Sequence, residues 1–147
     1  MDKLLVLIIA FTLLSWGCGS SKQTSETTDV ASSEDQLTLL HDIWVAQQIQ
    51  GEPILADHPA PRLEIHPAEG RISGNGSCNN IFGQCTATET TLTFGQIGST
   101  KMYCRPTIKQ EQRFLETLAL VDSYQIKNLQ LILMQAGKEV MLLHKVD

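Results

Sequence analysis

From Leu37 to the C-terminus, apolar residues come in short runs separated by Gly, Pro and Asn signals, and only one stretch carries helical periodicity. That layout restricts the chain to an antiparallel β domain with a single covering helix, because strands of this length bury one face each and need close neighbours in sequence to pair with. The first strand is expected at Ile43 to Ile49, closed by Gly51-Glu52-Pro53. A second, Arg62 to Ile65, lies between His58-Pro59 and His66-Pro67, whose prolines withhold ladder hydrogen bonds. Gly70 to Gly83 combines a strand start with a turn-rich segment, since Gly and Asn accept the positive φ values that other residues resist. Further strands are expected at Gln84 to Thr88 and Thr91 to Phe94. The helix is expected at Ile108 to Val121, opened by a Thr107/Gln110 capping box. Its apolar arc is Ile108, Phe114, Leu115, Leu118, Ala119 and Val121, with Lys109, Arg113, Glu116 and Thr117 opposite and Leu120 out of pattern. Tyr124 to Ile126, Leu129 to Met134 and Val140 to His144 form a terminal three-stranded meander joined near Asn128 and Ala136-Gly137. The expected fold class is mainly β (α+β), a small antiparallel sheet curled into an open barrel and covered by one helix.

The N-terminal residues follow other rules. Lys3 precedes an eleven-residue apolar run, Leu4 to Leu14, broken only by Thr12 and too short to span a bilayer comfortably. It leads into Ser15-Trp16-Gly17-Cys18, where a small residue precedes a cysteine, as lipoprotein signal peptidases require. Residues 1–17 are therefore expected to be a lipoprotein signal peptide and Cys18 the lipidated residue, although Leu14 stands one place early and the bulky Trp16 occupies a position usually small. Gly19 to Gln36 holds five Ser, three Thr and four acidic residues with only Val30 and Ala31 as aliphatics. Such a segment cannot bury enough surface to offset its ordering entropy, so residues 18–36 read as the lipidated cysteine and a flexible tether. At 18 residues the coil would hold the domain, residues 37–147, on the order of 20–25 Å from the lipid. The expected location is the bacterial cell envelope, with Gly19 after the cysteine compatible with an outer-membrane anchor facing the periplasm.

Eleven Lys and Arg face sixteen Asp and Glu, a net charge of −5. Asp2 and Lys3 would leave together with the leader, so the balance survives export. Clustered cations, which phosphate backbones require, are represented only by Lys101, Arg105 and Lys109, and nucleic acid is excluded as a partner. The glycines of 70–83 lack the spacing of a nucleotide loop and no Gly-Lys-Ser/Thr follows. After Cys18 three cysteines remain, Cys78, Cys85 and Cys104, an odd number that in an oxidising compartment suggests one bridge and one spare thiol. Spacing does not choose between the three pairings. A zinc site of these thiolates with His41, His58, His66 or His144 lacks a Cys-x₂₋₄-Cys knuckle, and no metal or cofactor is expected. No base marks a catalytic thiol. Asp57, His58 and His66 are the nearest approach to an enzymatic set, and no enzyme activity is expected.

Several motifs resemble the META domain of the HslJ family, small bacterial envelope proteins with trypanosomatid relatives. They are Trp44 followed by Ile49, Gly51 and Pro53; Gly70-Arg71-Ile72-Ser73-Gly74 leading to Cys78-Asn79-Asn80 and Gly83; Ile97-Gly98-Ser99-Thr100-Lys101-Met102-Tyr103-Cys104; and Glu111, Phe114, Leu115 and Leu118. Ser77 stands where the family often has glycine, Lys101 where it often has arginine and Cys85 where an aromatic is common. The resemblance implies a barrel-like β fold with one helix, similar in shape to the pilot lipoproteins that escort secretins, and no enzymatic activity. It also favours Cys78 and Cys104, the two cysteines at family positions, as the disulfide pair, a bridge that stabilises by roughly 3–4 kcal/mol if unstrained. Trp44 and Met102 are expected in the core, and Asn79 and Asn80 are expected to bond their own turn. The resulting expectation is a non-enzymatic envelope module that binds a protein partner or supports envelope integrity. The alternative is a carrier of a lipid or other small apolar ligand, suggested by apolar residues on both faces of Leu129 to Met134.

Overall fold

The computed structural model of the chain describes residues 33–146. The expected leader, Cys18 and most of the expected tether lie outside the described residues. Chain order is α1 (Ser33–Leu40), β1 (Ile43–Ile49), β2 (Glu52–Pro53), β3 (Arg62–His66), a single 3-10 turn (Pro67–Glu69), β4 (Arg71–Asn75), β5 (Asn80–Ala87), β6 (Leu92–Ser99), α2 (Ile108–Leu118), β7 (Ser123–Lys127), β8 (Gln130–Gln135) and β9 (Lys138–Lys145). The nine strands form one antiparallel sheet ordered β6-β5-β4-β3-β1-β9-β8-β7, with β2 paired to β1. Among the described residues no helix is long and apolar enough to cross a membrane.

The first and last strands of that order meet only at one end. Thr91 bridges Ser123, the Leu92 amide donates to the Asp122 carbonyl and the Tyr124 amide to that of Thr90. Beyond this point the groups of β7 find another partner: the Gln36 side chain of α1 accepts from the Ile126 amide at 2.8 Å and donates to the Ile126 carbonyl at 3.2 Å. The sheet is therefore not closed into a barrel, and among the described residues two helices lie on it where one was expected. The signal for α1 was hidden because its eight residues, SEDQLTLL, are mostly polar. Its fixing contact is a glutamine amide imitating a strand.

Alternation along β1 places Trp44 and Ala46 inward, and a bulge between Ala46 and Gln48 resets the period so that Ile49 also points in. Three two-residue hairpin turns, Gln50-Gly51, Asn128-Leu129 and Ala136-Gly137, hold both central residues at positive φ, which matches the twist of the flanking strands. The core gathers Trp44, Ile49, Leu63, Ile65, Leu92, Leu131, Leu133 and Leu143 from the sheet with Phe114 and Leu118 from α2. The first strand and the meander stand where the sequence puts them. β5 and β6 run longer, taking in Asn80 to Gly83 and Gly95 to Ser99.

α2 differs from its expectation in length, cap and face. It ends at Leu118, and Thr107 makes no side-chain capping bond. Gln110 instead donates to Ser77 Oγ at 2.8 Å and accepts from the Leu55 amide at 2.8 Å. The buried face is Gln110, Glu111, Phe114, Thr117 and Leu118, so Thr117 lies inside while Ile108 and Ala119 are exposed. Polar residues can occupy an inner face because each has a partner there: Thr117 Oγ1 donates to the Arg113 carbonyl and accepts from Gln50 Nε2.

Candidate functional site

The polar face of α2 supports a dense cluster of side-chain hydrogen bonds. Between β4 and β5 the chain turns sharply at Asn75 to Asn79. The Ser77 amide donates to Asn75 Oδ1, and Ser77 takes a φ of +101°, a conformation glycine adopts without cost. This turn aims the Cys78 and Asn79 amides at the Glu111 carboxylate, which accepts from them at 3.2 and 2.7 Å through Oε2 and from Asn79 Nδ2 at 2.7 Å through Oε1. Gly76 lies flat on the Glu111 side chain, where a Cβ would come within 2.7 Å of Cγ.

Asn79 uses its whole side-chain bonding capacity. Its Nδ2 donates to Glu111 and to the Met102 carbonyl at 3.2 Å, while Oδ1 accepts from the Met102 amide at 2.7 Å and Thr100 Oγ1 at 2.9 Å. It therefore joins helix α2 to the segment after β6, rather than bonding its own turn. Asn80 is peripheral: its amide donates to Thr100 Oγ1 and its Oδ1 accepts from Asn75 Nδ2, both at 3.1 Å. The disulfide Cys78–Cys104, with Cα atoms 6.0 Å apart, closes the other end of the same segment. Residues 100–104 are thus tied at Thr100, Met102 and Cys104.

Such fixation presents side chains outward. Met102 is 58% exposed and Tyr103 72% exposed, flanked by exposed Lys101 and Arg105. Met102 is therefore not in the core: Asn79 bonds both its amide and its carbonyl, so the backbone is held beside the β4–β5 turn and the side chain stands in solvent. The sequence signal for this was Asn79 beside Cys78, whose bridge partner Cys104 ends the exposed segment. Glu111 was visible as a family residue but not as the hub.

Other expected positions are structural. Trp44 is buried with Nε1 donating to the Leu40 carbonyl at 3.1 Å. Gly74 faces the Arg62 backbone of β3, and Gly83 faces Gln96 and Ile97 of β6, with no room for a Cβ at either. Cys85 is buried and unpaired; burial raises its thiol pKa and its Sγ lies 3.6 Å from the Arg71 carbonyl. With two thiols bridged and the third in the core, the three cysteines do not share a site. Asp57 and His58 lie in the loop before β3, whereas His66 is at the other end of that strand with its ring against His41.

Three solved structures share the fold. An NMR structure of a protein from Burkholderia xenovorans is 22% identical, covers 78% of this chain and 88% of its own, and has a TM-score of 0.60. A second NMR structure is 24% identical over 74% of this chain and 92% of its own, with a TM-score of 0.55. The crystal structure of a DUF4847 family protein from Bacteroides vulgatus is 19% identical over 74% of this chain and 94% of its own, with a TM-score of 0.51. No curated protein matches the sequence. The META domain family matches residues 26–147, a span that takes in every strand and both helices, and the chain belongs to that family.

Proposed function

We propose that this chain is a non-enzymatic lipoprotein of the bacterial cell envelope, exported by residues 1–17, anchored through Cys18 at the outer membrane facing the periplasm, and binding a protein partner through residues 100–105. The observation that carries the binding surface is the exposure of Met102 and Tyr103 on a backbone fixed by Asn79 and the Cys78–Cys104 bridge. Exposed Met and Tyr on a rigid base lose little entropy on binding and supply large apolar area, the profile of interface anchors. A photo-crosslinking residue placed at Tyr103 in intact envelopes should give one discrete adduct, lost when Asn79→Ala releases the segment. A crosslinker at Glu139, in the β8–β9 hairpin, should not. Equal labelling from both sites would refute the assignment. The anchor is checked by the intact mass of the mature protein, which should exceed the sequence from Cys18 onward by the lipid and gain two hydrogens on reduction.

A second reading, a carrier of an amphiphile, is favoured by one feature. Leu39, Trp44, Ile126 and Leu129 line an apolar hollow of about 300 Å³ whose edge carries Lys127 and Lys145. This is the small end of ligand pockets. Native mass spectrometry of the purified protein should show bound fatty acid or phospholipid if the reading holds; absence of adduct and of any thermal shift with these lipids would end it.

A further inference from the structure

Two of the four histidines, 25 residues apart in sequence, meet where the chain leaves α1 and where β3 ends. His66 Nδ1 lies 3.1 Å from His41 Nε2, and the rings meet edge to face with centroids 4.9 Å apart. On the far side of the ring His66 Nε2 is 3.0 Å from Glu64 Oε1, and Glu64 Oε2 accepts from Ser73 Oγ at 3.1 Å. Nε2 is buried without a hydrogen-bond partner, the Glu64 carboxylate lying beside it as a charged neighbour, while Nδ1 faces His41. His66 is only 8% exposed, so packing sets the orientation of its ring. His41 is exposed and borders an open hollow of about 320 Å³ formed with Leu37, Thr38, Pro67, Ala68 and Ala87.

We propose that His41 Nε2 and His66 Nδ1 together bind one divalent transition-metal ion of the kind imidazole favours: Cu²⁺, Ni²⁺ or Zn²⁺. The separation fits: with metal–nitrogen bonds of about 2.0–2.1 Å, nitrogens 3.1 Å apart subtend an angle of about 100° at the ion, between the square-planar and tetrahedral values. An ion at that vertex lies to one side of the line between the nitrogens, so both rings pivot toward it, and the proton shared between them moves through solvent to the other nitrogen of its ring. A small turn of the Glu64 carboxylate, 3.0 Å from Nε2, brings it to the outer-shell position that orients a metal-bound imidazole and raises its basicity. Among the described residues no three His, Cys, Asp or Glu side chains form a ready cage, so water fills the remaining positions. Glu69 Oε1, 3.9 Å from His66 Nδ1, reaches the same ion by side-chain rotation at the expense of its bond to Arg71. Two carboxylates beside the pair offset the charge of the ion. Without an ion the same geometry is a hydrogen bond between the two rings, and the experiment separates the two.

The full chain in non-ionic detergent is titrated with CuCl₂, and separately with NiCl₂ and ZnCl₂, by calorimetry, and the copper sample is examined by electron paramagnetic resonance. One ion per chain is expected, bound most tightly as Cu²⁺, with superhyperfine coupling to two equatorial nitrogens. His41→Ala, at an exposed position, should weaken binding about tenfold or more and remove one nitrogen coupling; Glu64→Gln should weaken it about tenfold with both couplings retained. His58→Ala and His144→Ala should change nothing. Unchanged copper affinity in His41→Ala, a sulfur-type spectrum, or no saturable binding at millimolar metal would overturn the assignment.

Discussion

Ser77 shows how a single side chain can be worth a strained backbone. At φ +101° it costs roughly 1 kcal/mol more than glycine, the residue the family often places there, yet its Oγ accepts the buried Gln110 amide. Ser77→Ala keeps the strain and loses the bond, so urea unfolding should show a loss of about 1–2 kcal/mol; Ser77→Gly should lose less. Glu111 is the harsher case. In Glu111→Gln one carboxylate oxygen becomes an amide that faces the Asn79 amide, and Asn79 cannot turn over because its Oδ1 already serves Met102 and Thr100. Two donors then oppose each other in a buried site, and the variant should lose roughly 1–3 kcal/mol. At the surface, Asp122 accepts from Ser123 Oγ and from the Ala136 amide, and these bonds hold its carboxyl below the ordinary 3.8. The depressed value means the contribution is complete above pH 3.8 and disappears as pH falls through the lowered folded value. Asp122→Asn should therefore flatten the acid limb of a melting-temperature profile while leaving its neutral region nearly parallel to wild type.

At the scale of elements, the segment between β6 and α2 and the edge of β7 are each secured by something other than regular pairing. Reduction of Cys78–Cys104 removes one tie of three, and the unfolding free energy should drop by roughly 3–4 kcal/mol. Because Asn79 still accepts the Met102 amide, hydrogen exchange should leave Met102 protected while Tyr103 and Arg105 exchange freely. Gln36→Ala strips the Ile126 peptide of both partners at the sheet edge, and a loss of about 1–3 kcal/mol is expected on chemical denaturation. The elements were unequally legible. β1 and the meander were readable because each carries its own alternation and its own turn residues. The ends of β5 and β6 were not, since Asn80 and Gly83 read as part of a turn-rich run and become strand only by pairing across the ladder, where Gly83 meets Ile97 and Phe82 covers Gly98. The buried face of α2 was misjudged for a related reason: Gln110, Glu111 and Thr117 look solvent-facing until their partners, Gln50 in the β1–β2 turn, Leu55 after β2 and the β4–β5 turn, are in place.

Across the whole molecule, what the sequence by itself determined is the class and the family: an antiparallel β domain with a META signature, a buried Trp44, and a family-based preference for the Cys78–Cys104 pair that the structure contains. Those properties follow from local alternation, turn chemistry and motifs in order, all of which are written along the chain. Only the tertiary structure decided that the sheet stays open apart from the seam at Thr91 and Ser123, that Glu111 and Asn79 form a hub, that Met102 faces solvent, and that His41 meets His66. Each of these depends on which distant groups remain to satisfy a buried donor or acceptor after the strands have paired, and that accounting exists only once the chain has folded.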